Sequence, residues 1–378
     1  MYTASNDFHN AVANGAHQIA LLIFEDAVFT NDDINVSKGI EFNDYFNTDE
    51  DICIGRALSN EISFSIFNDH GLLNEYEFGN FTATIGAQIG NTTVTENGVV
   101  QAQSASHTYV AYNSSPYLKR DGTAVSTQPG AKVDSILIYN GIVYCHMVNG
   151  NVVAYKDSNG STQSVTVNSF MKAQMAKWEG KGIAYANRIL KIWNGTNLRT
   201  YEFVPLGVFT AERPNVPNVN EIQFHCYDRM QEFEVDMPEA SELNMSYPST
   251  LANLYAKMCA YLGVTYATST FINSTATLSK APDEFKNATM REVLQWLAEA
   301  AASVARFDRD GVLVMDWLRT TSQTFNENNY SEMSAYWYET KQVTKLYNRA
   351  SDGSYEKTRG SGDEGYLIQD NPLLRGVS

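Results

Sequence analysis

The chain of 378 residues carries a formal net charge of −16, is rich in Tyr (22) and Phe (18), and has four cysteines, Cys53, Cys145, Cys226 and Cys259. That acidic balance argues against sequestering nucleic acid, because phosphate binding needs clustered Lys and Arg. The scattered cysteines form no C-x-x-C pair, which argues against a zinc or redox motif.

Residues 1–15 are polar and are expected to be loose. Ile19 to Phe24 is expected to be a buried strand, too short for a signal core or a membrane span and followed by acidic residues. The Asp32-Asp33 and Asp49-Glu50-Asp51 clusters invite a calcium reading, but the D-x-[DN]-x-[DN]-G spacing is absent, so solvated turns are the simpler expectation. Glu61 to Phe67 alternates, with Ile62, Phe64 and Ile66 on one side, as a half-buried strand does. Asn68 to Gly71 reads as a turn and Phe78 to Ile85 as a further strand. Short strands at this spacing predict an antiparallel barrel or sandwich.

From about Gln88 to Arg199 the composition shifts to Asn, Gly, Ser and Thr with few charges. Ser135 to Tyr139, Asn140-Gly141 and Ile142 to Cys145 predict a hairpin with a type I′ turn. Asn149-Gly150, Asn159-Gly160 and Asn194-Gly195 punctuate the strands around them, without a full repeat period. An inserted small β domain is expected, whose Tyr and Trp either pack its core or stack on sugars.

Val204 to Phe209 and the alternating run Asn220 to Asp228 match the strands before Gln88 in character and would close the first domain around the insertion. Leu251, Leu254, Tyr255, Met258, Cys259 and Leu262 recur at helical spacing, with Ser249 as a possible cap and Gly263 as the stop. Thr289 to Glu292 is a capping box opening a second helix, whose apolar face is Met290, Val293, Leu294, Leu297, Ala298 and Ala301. Val304 to Phe307 and Val312 to Met315, split by Asp308 to Gly311, predict a hairpin. Tyr336 to Tyr338, Val343 to Tyr347 and Gly365 to Ile368 read as strands of a second small barrel.

Catalytic motifs are missing. The six histidines, His9, His17, His70, His107, His146 and His225, show no ligand spacing, and no G-x-S-x-G elbow or P-loop occurs. In a strand, His225 and Cys226 point to opposite faces and cannot act together. Asp228 and Arg229 read as an ion pair or turn anchor rather than a catalytic set. Paired carboxylates for glycoside hydrolysis need a cleft that sequence does not reveal. The N-x-[ST] triplets at Asn91, Asn194 and Asn273 are chance products of an Asn- and Thr-rich chain. Catalytic, cofactor and metal residues are therefore all read as none.

The run Glu221 to Met230 resembles the strand-then-DRM segment of phage tail hub proteins. Pro248 to Leu251, Thr289 to Leu294 running into Ala305 to Gly311, Glu77 to Phe81, and the close Tyr366-Leu-Ile-Gln-Asp-Asn-Pro372 are similar to further segments of that family in the same order. The resemblance covers roughly residues 15 to 88 and 200 to 374. The family comprises baseplate-hub and tail-associated proteins of phages, prophages and phage-like contractile particles.

The strand-favouring Tyr, Thr, Val and Phe predict a mainly β fold with a small α+β part. With the resemblance, the first tube β-barrel domain would be 15–88 plus 200–238, the helical bracing domain 239–303 and the second tube β-barrel domain 304–378, while 89–199 is the inserted β domain read from its own composition and hairpins. The resemblance implies a homotrimer whose barrels mimic a six-fold ring, continue the tail tube and meet distal tail, tape measure and tip or receptor-binding proteins. DNA would pass an acidic lumen without specific binding, and no cofactor or membrane anchor is implied. The chain departs from the family in the 89–199 segment, and the peptidoglycan-cleaving domain that many relatives carry after the hub is not expected within the residues up to Ser378, so a hub fragment and partners that supply the lytic part are both open. A tail-associated hydrolase and a carbohydrate-binding receptor protein are the alternatives.

Overall fold

The computed structural model describes residues 4–24, 27–43, 54–74, 76–94, 100–211, 214–267, 271–316, 345–349, 356–360, 365–369 and 371–375. The fold is mainly β with few helices, and no helix among the described residues is long and apolar enough to cross a membrane. The chain divides into two compact units, one of residues 1–40, 64–206 and 212–224, the other of 41–63, 207–211 and 225–378. The strands Glu61–Phe67, Asn197–Thr210 and Glu221–Asp228 each have residues in both.

In the first unit, Gln18–Phe24 runs antiparallel to Val28–Thr30 and to Asn80–Thr93, which also pairs with Asn197–Thr210. From there the sheet continues through Ile189–Trp193, Gly182–Ala186, Val133–Tyr139, Ile142–Met147, Val152–Lys156 and Thr162–Gln163. Val133–Tyr139 is buried at every position, so its apolar run serves two cores. Ile136 and Ile138 face a core with Val100, Tyr109 and Tyr155, contributed in part by the sheet that holds Val100–Gln103, Thr108–Ala111, Leu118–Arg120 and Thr123–Ala124. Leu137 and Tyr139 face Met171, Met175 and Trp178 of the helix Ser169–Lys177 and its cap. The predicted hairpin forms, with Asn140 at φ 49° and Gly141 at φ 72°, as a type I′ turn requires.

Three observations here depart from expectation. Residues 1–15 are not all loose: Asn6–Ala13 is a helix whose Ser5 cap accepts from the Phe8 N–H at 3.1 Å and whose start is tied to the Glu202 carboxylate. That helix has no buried residue, and only Phe8, Ala11 and Val12 mark a short apolar edge on it. The helix Ser169–Lys177 is unexpected for a related reason. Its buried face mixes Phe170, Met171 and Met175 with Gln174, and that amide is accommodated only because Val28 and Asp33 accept its protons. Finally, the 88/89 and 199/200 boundaries of the expected insertion fall inside the 14-residue strands Asn80–Thr93 and Asn197–Thr210. Tyr201 and Phe203 share one core with Ile19, Leu137 and Met175, so 89–199 packs with its flanks rather than apart from them.

In the second unit, Glu41–Asn43 pairs with Glu61 to Ser63, and Phe209 and Thr210 pair with Asp228 and Tyr227. Ala57–Leu58 lies parallel to Val304–Phe307, which pairs with Leu313–Asp316. The helices Leu251–Leu262 and Met290–Ala300 share one core with Met230, Phe233, Phe307, Leu313 and Leu373. The 303/304 boundary therefore separates a helix and a hairpin that bury their apolar side chains together. Thr250, not Ser249, caps the first helix, accepting from the Asn253 N–H at 3.1 Å. Ser249 instead sits in a two-residue ladder against Leu278 and accepts from the Asn253 side chain. Gly263 ends that helix at φ 66°, and Thr289 and Glu292 form the predicted capping box. Lys345–Arg349 lies between Glu356–Gly360, antiparallel, and Gly365–Gln369, parallel. Tyr336 to Tyr338 and Cys53 lie outside the described residues, as does Asp49-Glu50-Asp51.

Asn371, fully buried, donates to the Trp296 carbonyl and to the Glu299 carboxylate, both at 2.9 Å, and accepts from the Leu373 N–H. It thereby fastens Pro372–Arg375 to the last turns of Met290–Ala300. Burial outweighs the Asn371 hydrogen bond and pushes the Glu299 carboxyl up to about 7. A carboxyl raised on folding adds stability that is full below its unfolded value and is lost as pH rises through the folded one. Glu299→Gln, which keeps the acceptor, is expected to change little at pH 4 and to stabilise the protein by roughly 2 kcal/mol at pH 8. Urea unfolding at the two pH values measures this, and equal effects at both would remove the buried-carboxyl account.

Candidate functional site

The strand Glu221–Asp228 alternates as its sequence predicts: Ile222, Phe224 and Cys226 are buried while His225 and Tyr227 are exposed. His225 and Cys226 thus lie on opposite faces. The strand ends at Asp228, which caps the 3-10 helix Arg229–Phe233 and is buried. Its carboxylate accepts from the Met230 N–H at 3.0 Å, the Asn60 N–H at 2.9 Å and the Ser59 hydroxyl at 3.0 Å. Burial prevails over these hydrogen bonds and raises its pKa to about 6. Arg229 does not pair with it; both forks of that guanidinium engage Glu232, at 2.8 and 2.9 Å. Asp228 is accordingly a turn anchor, and the turn drives Met230 and Phe233 into the core.

Beside this corner, and within the same unit, a cleft of about 510 Å³ is lined by Ala57, Leu58, Ser59, Glu61, Tyr227, Gln231, Glu234 and Arg291. Arg291 donates to Glu234 and, at 3.0 Å, to the carbonyl of Ala57. His225 lies between the Ser63 hydroxyl at 2.8 Å and the Tyr227 hydroxyl at 3.1 Å, and its ring meets that of Tyr227 edge-on at 5.0 Å. The Glu61 carboxylate is 3.8 Å from His225 Nε2. Sequence reasoning gave the alternation that exposes His225 and Tyr227, but not the approach of Glu61 and Arg291, which come from distant segments.

The remaining histidines are dispersed. His9 sits exposed on the first helix, His17 touches the ring of Tyr201, and the His70 side chain lies outside the described residues. His107 bridges Asp121 at 2.7 Å and Arg120 at 2.6 Å, tying one strand edge to the turn after it. His146 is buried against Asp134 at 2.6 Å. Among the described residues no cluster of three or more His, Cys, Asp or Glu could hold a metal. Asp33 spends its carboxylate on Thr30 and Gln174, and burial raises its pKa. Asp32 is exposed. Tyr109, Tyr155, Trp178 and Trp193 are core residues, which favours packing over sugar stacking for those four. Asn194 caps a turn by accepting from the Asn197 N–H, and Asn273 donates to the Ala300 carbonyl.

No family model matches the chain, and no curated protein is similar to it. Among solved structures, the 43 kDa tail protein of prophage MuSo2 from Shewanella oneidensis is similar, with a TM-score of 0.34 and 9% sequence identity, over 95% of this chain and 76% of that one.

Proposed function

We propose that this chain is a structural hub protein of a phage or phage-like tail tip that works by assembly rather than catalysis. Three copies would form a pseudo-hexameric ring, each giving two tube-type β-barrel domains that continue the tail tube. The ring would anchor distal tail, tape measure and tip or receptor-binding proteins in the virion tail, after assembly in the bacterial host. Its net charge of −16 suits a channel through which DNA passes without being held.

One observation carries this reading. Three of the segments that resemble tail hub proteins carry side chains that organise the second unit. Asp228 of the DRM run anchors the corner, Thr289 and Glu292 box the second helix, and Asn371 of the closing segment seals its end. Asp228 and Asn371 are buried and hydrogen-bonded, and the Thr289–Glu292 box is a hydrogen-bonded helix start at the surface; that the resemblance falls on such determinants supports the reading. Light scattering at micromolar concentration is expected to give a trimer, or a monomer that becomes trimeric with tail partners. Electron imaging is expected to show a ring with a central hole. A stable dimer, or trimers without a hole, would overturn the reading.

A further inference from the structure

The cleft beside Asp228 has a charge balance that its own residues do not settle. It presents two carboxylates, Glu61 and Glu234, and one guanidinium, Arg291. Both terminal nitrogens of Arg291 are engaged, one by Glu234 and one by the Ala57 carbonyl, and its Nε is buried away from the cleft surface with no hydrogen-bond partner. Glu61 is half-buried, with 25% of its side chain exposed, and among the described residues it has no lysine or arginine partner; only His225 approaches it. Tyr227, 37% exposed, forms an aromatic wall of the same cleft. Its neighbour on the same strand face, His225, meets that ring edge-on and bonds its hydroxyl at 3.1 Å, and is itself bonded to the Ser63 hydroxyl at 2.8 Å, which orders the wall.

A carboxylate short of a cation beside an ordered aromatic face is the arrangement that receives an ammonium or guanidinium group, by charge-assisted hydrogen bonding and by cation–π attraction. Other ligand classes fit worse. An anion would face two carboxylates, with the terminal nitrogens of Arg291 engaged and its Nε buried out of reach, and an apolar group would desolvate Glu61 without compensation. We infer that this cleft is a docking site for a lysine or arginine side chain on a partner protein, with Glu61 as the ion-pair acceptor and Tyr227 as the stacking wall. The excess negative charge of the chain would steer such a basic segment toward it. The inference rests on the cleft alone and stands whether or not the chain is a tail hub.

Saturation-transfer NMR on the full chain, with acetylated trilysine amide as probe and acetylated triglutamate amide as its opposite, tests it. Trilysine is expected to bind and triglutamate not to. Glu61→Gln and Tyr227→Leu are each expected to weaken trilysine binding by about fivefold or more. Glu179→Gln, an exposed carboxylate of the other unit, is expected to leave it unchanged. Circular dichroism on each variant separates lost binding from lost fold, and the two cleft variants fail independently. No preference between the two peptides, or an equal loss in the Glu61 and Glu179 variants, would reduce the effect to general attraction to an acidic surface and overturn the proposal.

Discussion

Gly182→Ala is expected to be the most damaging glycine-to-alanine change among the described residues, costing on the order of 3 kcal/mol or more. A β-carbon at Gly182 would fall within the Gln101 carbonyl group and 3.0 Å from the backbone nitrogen of Ala102. Neither side can yield cheaply. Gly182 is paired with Ile136 on one flank and Trp193 on the other. The opposing strand Val100–Gln103 is pinned by Val100 and Ala102, both buried, and by its ladder with Thr108–Ala111. Backbone lies against backbone here, so no rotamer change relieves the clash. Gly90→Ala is the matched control, because its β-carbon would meet only the Thr200 side chain, at 3.5 Å, an ordinary contact. Chemical denaturation should show a large drop in stability for Gly182→Ala and a change within about 1 kcal/mol for Gly90→Ala. Equal midpoints for the two would mean that the two sheets do not approach as closely as described.

Asp228→Ala is expected to destabilise the second unit by about 3 kcal/mol at pH 5. It strips the acceptor from two N–H groups, those of Asn60 and Met230, and from the Ser59 hydroxyl. Asp228→Asn keeps one carbonyl oxygen and should cost less. The pH dependence discriminates further. The folded pKa of about 6 lies above the ordinary 3.8, so the protonated wild type is favoured by folding at low pH and that advantage fades as pH rises through 6. An asparagine does not titrate. The stability gap between wild type and Asp228→Asn should therefore narrow by roughly 2–3 kcal/mol between pH 4 and pH 8. A gap that stays constant would show that the carboxyl is not held away from water. If Asp228 acted instead as a surface ion pair, its removal would cost well under 1 kcal/mol, and that outcome would also separate the two accounts.

The elements that were legible in the sequence are those whose signal is local. The capping box at Thr289 and Glu292, the Asn140-Gly141 turn, the Gly263 stop and the alternation of Glu221 to Asp228 all appear where their residues place them. In each, neighbours along the chain supply the partner or the periodicity. The helices Asn6–Ala13 and Ser169–Lys177 were not legible, because one buries nothing and the other buries a glutamine satisfied by Val28 and Asp33. Of the cleft, only Tyr227 and its exposure could be read; Glu61, Glu234 and Arg291 sit far apart in the chain.

By itself, then, the sequence determined a mainly β chain, its turns and caps, and the order of segments that resembles tail hub proteins. Tertiary structure alone decided that 89–199 shares strands with its flanks, that Gly182 must lack a side chain, and that one carboxylate at Glu61 faces a cleft without a lysine or arginine partner among the described residues. The division has a physical cause. Backbone propensity and capping act over a few residues, whereas close sheet contact and unbalanced buried charge depend on groups that meet only after folding.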